Sequence, residues 1–302
     1  MIFLVPDRIA TENKVKSDVQ LDKKNIILQY EIEGKTKLVM KTTKKEMDKK
    51  GNKWIGKLII FILTIICCNN AFTQQDFLLQ QKKYARVKTA VTEKEQNITE
   101  NLHKNGLSTD NVNVLIMAYK AEKQLEIYAK KKNETIYKLI AVYNICASSG
   151  ELGPKRIQGD RQVPEGFYKI DRFNPTSNFY LSLGINYPNQ SDRKKSNASN
   201  LGGDIFIHGS CVTIGCLPMT DDKIKEIYLY AIYARNNGQN TIPVYIFPFR
   251  MTDSNFQIYE KKYSKNKELI DFWTNLKSGY DKFIIEKKSL NETVDKLGNY
   301  KF

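Results

Sequence analysis

The sequence predicts a mostly β domain with flanking helices, an α+β fold, and three observations carry that prediction. From Asn111 onward, apolar residues recur with a period of two in VNVLIMAY, QLEIYA and IYKLIAVYNIC, runs separated by the polar turns KAEK and KKKNET. Such alternation suits half-buried strands, and their close spacing suits a meander. Further short β-rich runs follow at residues 167–172, 179–183, 204–208 and 242–247. Helical periodicity brackets the strands, in a charged stretch at 76–104 and in aromatic stripes beyond Arg250.

Taken in chain order, the first feature is an internal export signal. Lys53 and Lys57 precede an apolar run from Leu58 to Cys68, followed by polar Asn69 and Asn70 and small Ala71 and Thr73. That run is short for a bilayer span and has the length of a signal core. Cleavage is expected after Thr73, with an uncleaved membrane anchor at 58–68 as the alternative. Bulky Ile66 before Cys67 argues against a lipoprotein anchor. Met47 opens a conventional order of basic and apolar regions, so residues 1–46 read as a misassigned start or an unstructured piece and 47–73 as the signal peptide or anchor. The chain is therefore expected to be exported to the periplasm or cell envelope.

Residues 74–110 read as a helical spacer or brace, 111–250 as the catalytic domain, and 251–302 as a helical C-terminal extension. Within the middle segment, the Gly- and Pro-rich stretch SSGELGPKRIQGDRQVPEG at 148–166 is too polar for a strand and reads as a long functional loop. One helix interrupts the later strands. Thr220 is a good N-cap, Asp221 and Asp222 suit the positive helix start, and Ile224, Ile227, Tyr228, Ala231 and Ile232 make an apolar face. Leu269, Phe272, Trp273 and Leu276, then Tyr280, Phe283 and Ile284, mark helical packing stripes near the end.

The 302 residues are ample for a hydrophobic core, and the net charge of +15 is the one unusual bulk property. Residues 1–57 carry 14 Lys and Arg against 8 Asp and Glu, and the rest of the excess is spread without a stripe. No recognition motif or Arg cluster with interleaved aromatics accompanies it, so nucleic acid is excluded as the expected partner.

The chemistry gathers in GGDIFIHGSCVTIGCLPMTDD. The chain holds only two histidines, and His103 lies in a polar run far in sequence from any cysteine. His208 ends a β-rich run, and Cys216 follows eight residues later. A thiol becomes a strong nucleophile on losing its proton, and an adjacent imidazole both takes that proton and stabilises the thiolate. Gly215 allows a tight turn that would aim the Cys216 amide at a developing oxyanion, and Thr213 is placed to position the nucleophile. Ser210 or a backbone carbonyl is expected to orient His208. Cys146 and Cys211 either form a disulfide or are both buried. No metal site is expected, because one usable histidine and scattered cysteines lack zinc-site spacing, and the chemistry calls for no cofactor.

The run IHGSCVTIGC resembles the active-site signature of the L,D-transpeptidase (YkuD-like) catalytic domain family, in its YafK-like murein branch. ICASSGELGPKRIQGDRQVPEGFY, SLGINYPNQSDR, IPVYIFPFRMTDSN and DFWTNLKSGYDKF agree with it, so the resemblance covers about residues 111–290. It implies a β-sandwich-like sheet carrying the site and peptidoglycan stem peptides as substrate. Cys216 would be the nucleophile attacking a diaminopimelate carbonyl at its L-centre, with His208 as proton acceptor and donor. Arg161, Tyr187 and Arg193, in the matching segments, would bind substrate carboxylates. The commoner branch carries Ser-His-Gly-Cys where Thr213-Ile214-Gly215-Cys216 stands here. The expected activity is acyl transfer to an amine. The alternatives are hydrolysis of peptidoglycan-linked amides, such as links to a wall-bound lipoprotein, and, in a different class, a non-catalytic peptidoglycan-binding module.

Overall fold

A computed structural model describes residues 77–302 and, nearer the N-terminus, the backbone of four strands. Residues 1–72 and 73–302 are separate compact units. In the first, β1 (Phe3–Val5), β2 (Lys16–Leu21), β3 (Asn25–Ile32) and β4 (Thr36–Thr43) pair antiparallel in the order β1-β4-β3-β2. These paired strands fall inside the 1–46 segment set apart above. The signal or anchor expected at 47–73 lies outside the described residues.

The second unit begins with a helical turn at 77–81 and α1 (Ala85–Lys104). His103 and Lys104 occupy the last turn of α1, where cations meet the negative end of the helix dipole. Its Val87, Ala90, Ile98 and Leu102 are buried, so the helix belongs to the core it leads into. The meander follows as β5 (Val112–Tyr119), β6 (Gln124–Lys131) and β7 (Lys138–Asn144), each antiparallel to the next. Beyond an irregular segment come β8 (Gly166–Asn174), β9 (Ser182–Ile185), α2 (Gln190–Lys195), β10 (Phe206–His208) and the two-residue β11 (Leu217–Pro218). The chain then runs through α3 (Asp221–Asn236), β12 (Pro243–Phe247), α4 (Asp253–Lys262) and α5 (Lys267–Glu286). It closes with the small hairpin of β13 (Thr293–Val294) and β14 (Tyr300–Lys301).

Eight strands make one sheet in the order β11-β10-β9-β8-β12-β5-β6-β7. Most neighbours are antiparallel; β12 with β5 and β10 with β11 are parallel. The central strand β5 shows how the sheet is covered. Successive strand residues point to opposite faces, and Val114, Ile116 and Ala118 join a cluster with α1 and α3, whereas Leu115, Met117 and Tyr119 join another with Phe272, Trp273, Leu276 and Phe283 of α5. Helices thus pack on both faces, which explains why VNVLIMAY is almost continuously apolar. Aromatic edges dominate the α5 side, with Phe283 against Tyr128 at 5.1 Å and Tyr245 at 5.9 Å.

The sheet also curls. Just past β7, the Cys146 amide donates to the Pro218 carbonyl of β11 at 3.1 Å, tying together strands from opposite ends of the sheet order. A Cys146–Cys211 disulfide reinforces the same junction. The Thr220 hydroxyl accepts from the Lys223 amide and caps α3, whose Ile224, Ile227, Tyr228 and Ile232 are buried beneath the site.

Candidate active site

His208 is the last residue of β10, and the parallel register sets it opposite Pro218 of β11. Its side chain is buried, with the Phe179 ring 4.7 Å away, centroid to centroid. Nδ1 lies 2.6 Å from the Gly209 carbonyl oxygen. A carbonyl can only accept, so Nδ1 carries the proton and the lone pair of Nε2 is left free to act as a base. Of the two orienting groups expected from sequence, the backbone carbonyl takes the role. Ser210 contributes through its backbone instead: its amide donates to Asp221 Oδ1 at 2.8 Å, pinning the loop to the start of α3. Gly209 makes this close approach possible, since a Cβ there would stand 2.5 Å from the Asp221 carboxylate.

Cys216 sits in the bend that leads directly into β11, and its side chain lines the same cavity as His208. The Cys216 thiol donates to the Asp204 carbonyl at 3.7 Å, and its amide donates to Thr213 Oγ1 at 2.8 Å. That hydroxyl also accepts from the Gly215 amide at 3.2 Å and donates to the Cys216 carbonyl at 2.9 Å. The geometry corrects one expectation: the Cys216 amide is held by Thr213 in the resting site, not left open toward an oxyanion. Gly215 has φ 135, in the region that favours glycine, and faces the Gln162 carbonyl.

Burial pushes the Cys216 thiol up, with the Asp204 carboxylate adding to it, while the Phe206 amide and Lys155 oppose the shift. Burial also lowers His208, against the Gly209 hydrogen bond. Both shifts favour the neutral forms, thiol and imidazole, so the thiolate forms as the proton moves to His208.

Both side chains line a cavity of about 480 Å³ walled by Phe179, Phe206, Val212 and Ile214. Cys216 also borders a second cavity, of about 200 Å³, that includes Lys120, Lys123 and Ser149. Arg161, Tyr187 and Arg193 line neither. The Tyr187 hydroxyl is buried and donates to the Lys155 and Leu201 carbonyls, Arg193 is exposed on α2, and Arg161 is an exposed loop residue with φ 57. Segment-level similarity brought these three forward, and Gln162, the residue after Arg161, packs its carbonyl against Gly215. Cys146 and Cys211 form the disulfide, leaving Cys216 as the free thiol among the described residues. Sequence reasoning missed Asp204 and Phe179. Asp204 had a signal, since it opens the β-rich run that ends on His208.

Residues 113–246 match the YkuD family model, described as the L,D-transpeptidase catalytic domain. The chain belongs to the L,D-transpeptidase (YkuD) family. It is 43% identical over 172 residues to YafK of Escherichia coli K12, a protein whose name assigns it provisionally to the L,D-transpeptidases. That match spans 56% of this chain and 66% of the relative's length, and the YafK sequence of strain O157:H7 matches equally. Among solved structures, similarity extends to the helical cell shape determining protein Pgp2 of Campylobacter jejuni. There the TM-score is 0.37 and the identity 17%, covering 61% of this chain and 74% of that one. Bd1075 of Bdellovibrio bacteriovorus is also similar, with TM-score 0.33 and 22% identity over 52% of this chain and 56% of that one. Within this L,D-transpeptidase domain, the matched segment encloses both His208 and Cys216.

Proposed function

We propose that the protein is an exported cell-wall enzyme that transfers the acyl group of a peptidoglycan stem peptide through a Cys216 thioester. One observation carries the reading: an imidazole with a free Nε2 and a free thiol line one and the same cavity. His208 takes the thiol proton as sulfur attacks the amide carbonyl at the L-centre of a diaminopimelate residue. The substrate oxygen, as it gains charge, competes with Thr213 Oγ1 for the Cys216 amide. Collapse breaks the C–N bond, and His208 returns the proton to the departing amine. An incoming amine then loses a proton to His208 and takes the acyl group, regenerating the thiol. The Cys146–Cys211 disulfide supports export, since such bonds persist in oxidising compartments.

The test is covalent capture. A carbapenem or a tetrapeptide muropeptide is expected to add to the wild-type protein, as read by intact mass, and Cys216→Ala should carry no adduct. Product analysis with the muropeptide should give crosslinked dimers. Released amine alone would make the enzyme a hydrolase, and a wild type that neither acylates nor turns over would make it a binding module.

A further inference from the structure

The two cavities that meet at Cys216 differ in what they offer. The larger holds His208, and its charged group is Asp204, whose exposed carboxylate pairs with Arg172 at 2.8 Å. Arg172 also meets Asp171 at 3.2 Å, and no lysine or arginine lines this cavity. The smaller cavity lacks the histidine and carries Lys120 and Lys123 against Glu151. Lys120 is committed: its ammonium donates to the Gly153 and Val163 carbonyls and to Glu165. Lys123 is not, for its ammonium has no partner among the described residues, and its backbone has φ 52 at the turn between β5 and β6. Ser149, in the lining of the same cavity, has a buried hydroxyl oxygen with no hydrogen-bond partner among the described residues. A buried polar atom left unpaired costs free energy that a ligand can recover.

Proton traffic decides which part of the substrate goes where. The leaving amine and the incoming nucleophile must both exchange a proton with His208, so both belong in the cavity that contains it. The acyl part of the stem peptide exchanges none. We propose, resting on the acyl-transfer reading above, that the smaller cavity holds this acyl part by a free carboxylate, with the Lys123 ammonium and the Ser149 hydroxyl as donors. Lys123 is then a specificity-determining residue, with no role in proton transfer.

The experiment compares two synthetic stem tetrapeptides, one with its side-chain and glutamyl carboxylates free and one with both amidated, as acyl donors for wild type, Lys123→Gln, Lys123→Arg and Ser149→Ala. Losing one charge-assisted hydrogen bond should cost about 10-fold to 100-fold in kcat/KM. For Lys123→Gln the loss should fall on KM with the free-carboxylate donor, be nearly absent with the amidated donor, and be largely restored in Lys123→Arg. Ser149→Ala should show the same selectivity on a smaller scale. A Lys123→Gln enzyme that keeps wild-type discrimination, or that loses equally on both donors, overturns the inference while the wild-type turnover still upholds acyl transfer. Wild type that acylates with neither donor removes both together. Lys123 is exposed at a turn, and a thermal melt of each variant reports any unfolding.

Discussion

The α5 face of the sheet and the short-strand end of the same sheet are built on opposite terms. On the α5 face, Phe167, Tyr245, Phe247, Tyr280 and Phe283 interlock edge to face, and Trp273 buries its indole with its N–H given to Glu165 at 2.8 Å. At the other end, β9, β10 and β11 have four, three and two residues. There the backbone turns left-handed at Asp204, Ser210 and Cys211, non-glycine residues for which that region is unfavourable. Aromatic packing is concentrated on the α5 face and strained backbone geometry around the chemistry, so the two should respond to different substitutions.

The sharpest way to break this comparison is at the imidazole. His208→Ala should leave the fold intact while acylation falls by about 100-fold or more, the usual loss for a general base. A large drop in melting temperature together with the lost rate would show that the site end also carries the fold. Because burial lowers His208, its neutral form persists to more acidic pH than free imidazole does. The acidic limb of wild-type kcat/KM should accordingly lie below about 6.5, the unperturbed value, and a limb at or above that value would contradict the buried setting.

Next in size is Phe283→Ala, which empties a fully buried aromatic site on the α5 face. Large-to-small changes of this kind cost about 3–5 kcal/mol. Denaturant unfolding should register that loss, and kcat measured well below the transition should stay at the wild-type value. The smallest effect sharpens the boundary between the regions. Thr220→Ala removes the hydroxyl that caps α3, a loss of about 1 kcal/mol. Asp221, the next residue, holds the Ser210 amide, so this mild change should also lower kcat by a few-fold. An unchanged kcat would mean that the helix start and the catalytic loop move independently.

The pattern of what could be read from residues alone follows the same division. His208 and Cys216 stood out because both residue types are scarce and their spacing fits a turn between two strands. The Leu269 to Leu276 stripe and the Thr220 cap were visible because helical periodicity and capping are local. Strand order was not, since β12 inserting between β8 and β5 is a pairing of distant segments. β11, two residues long, is too short to show any alternation. The Gly209 carbonyl that orients the imidazole is backbone, invisible to residue type. Lys123 carried no signal in a chain of 48 lysines and arginines, and Arg161 and Arg193 attracted notice only through the similarity of their segments.

The Cys146–Cys211 bond fixes how far the nucleophile can stray. Only four residues separate Cys216 from a covalent knot to the neighbouring strand segment. Thermal fraying of a two-residue strand would otherwise carry the sulfur out of register with the imidazole. With the knot in place, Cys216 is tethered to Cys211 through those four intervening residues, so the bend leading into the shortest strand of the sheet can host the atom whose position matters most.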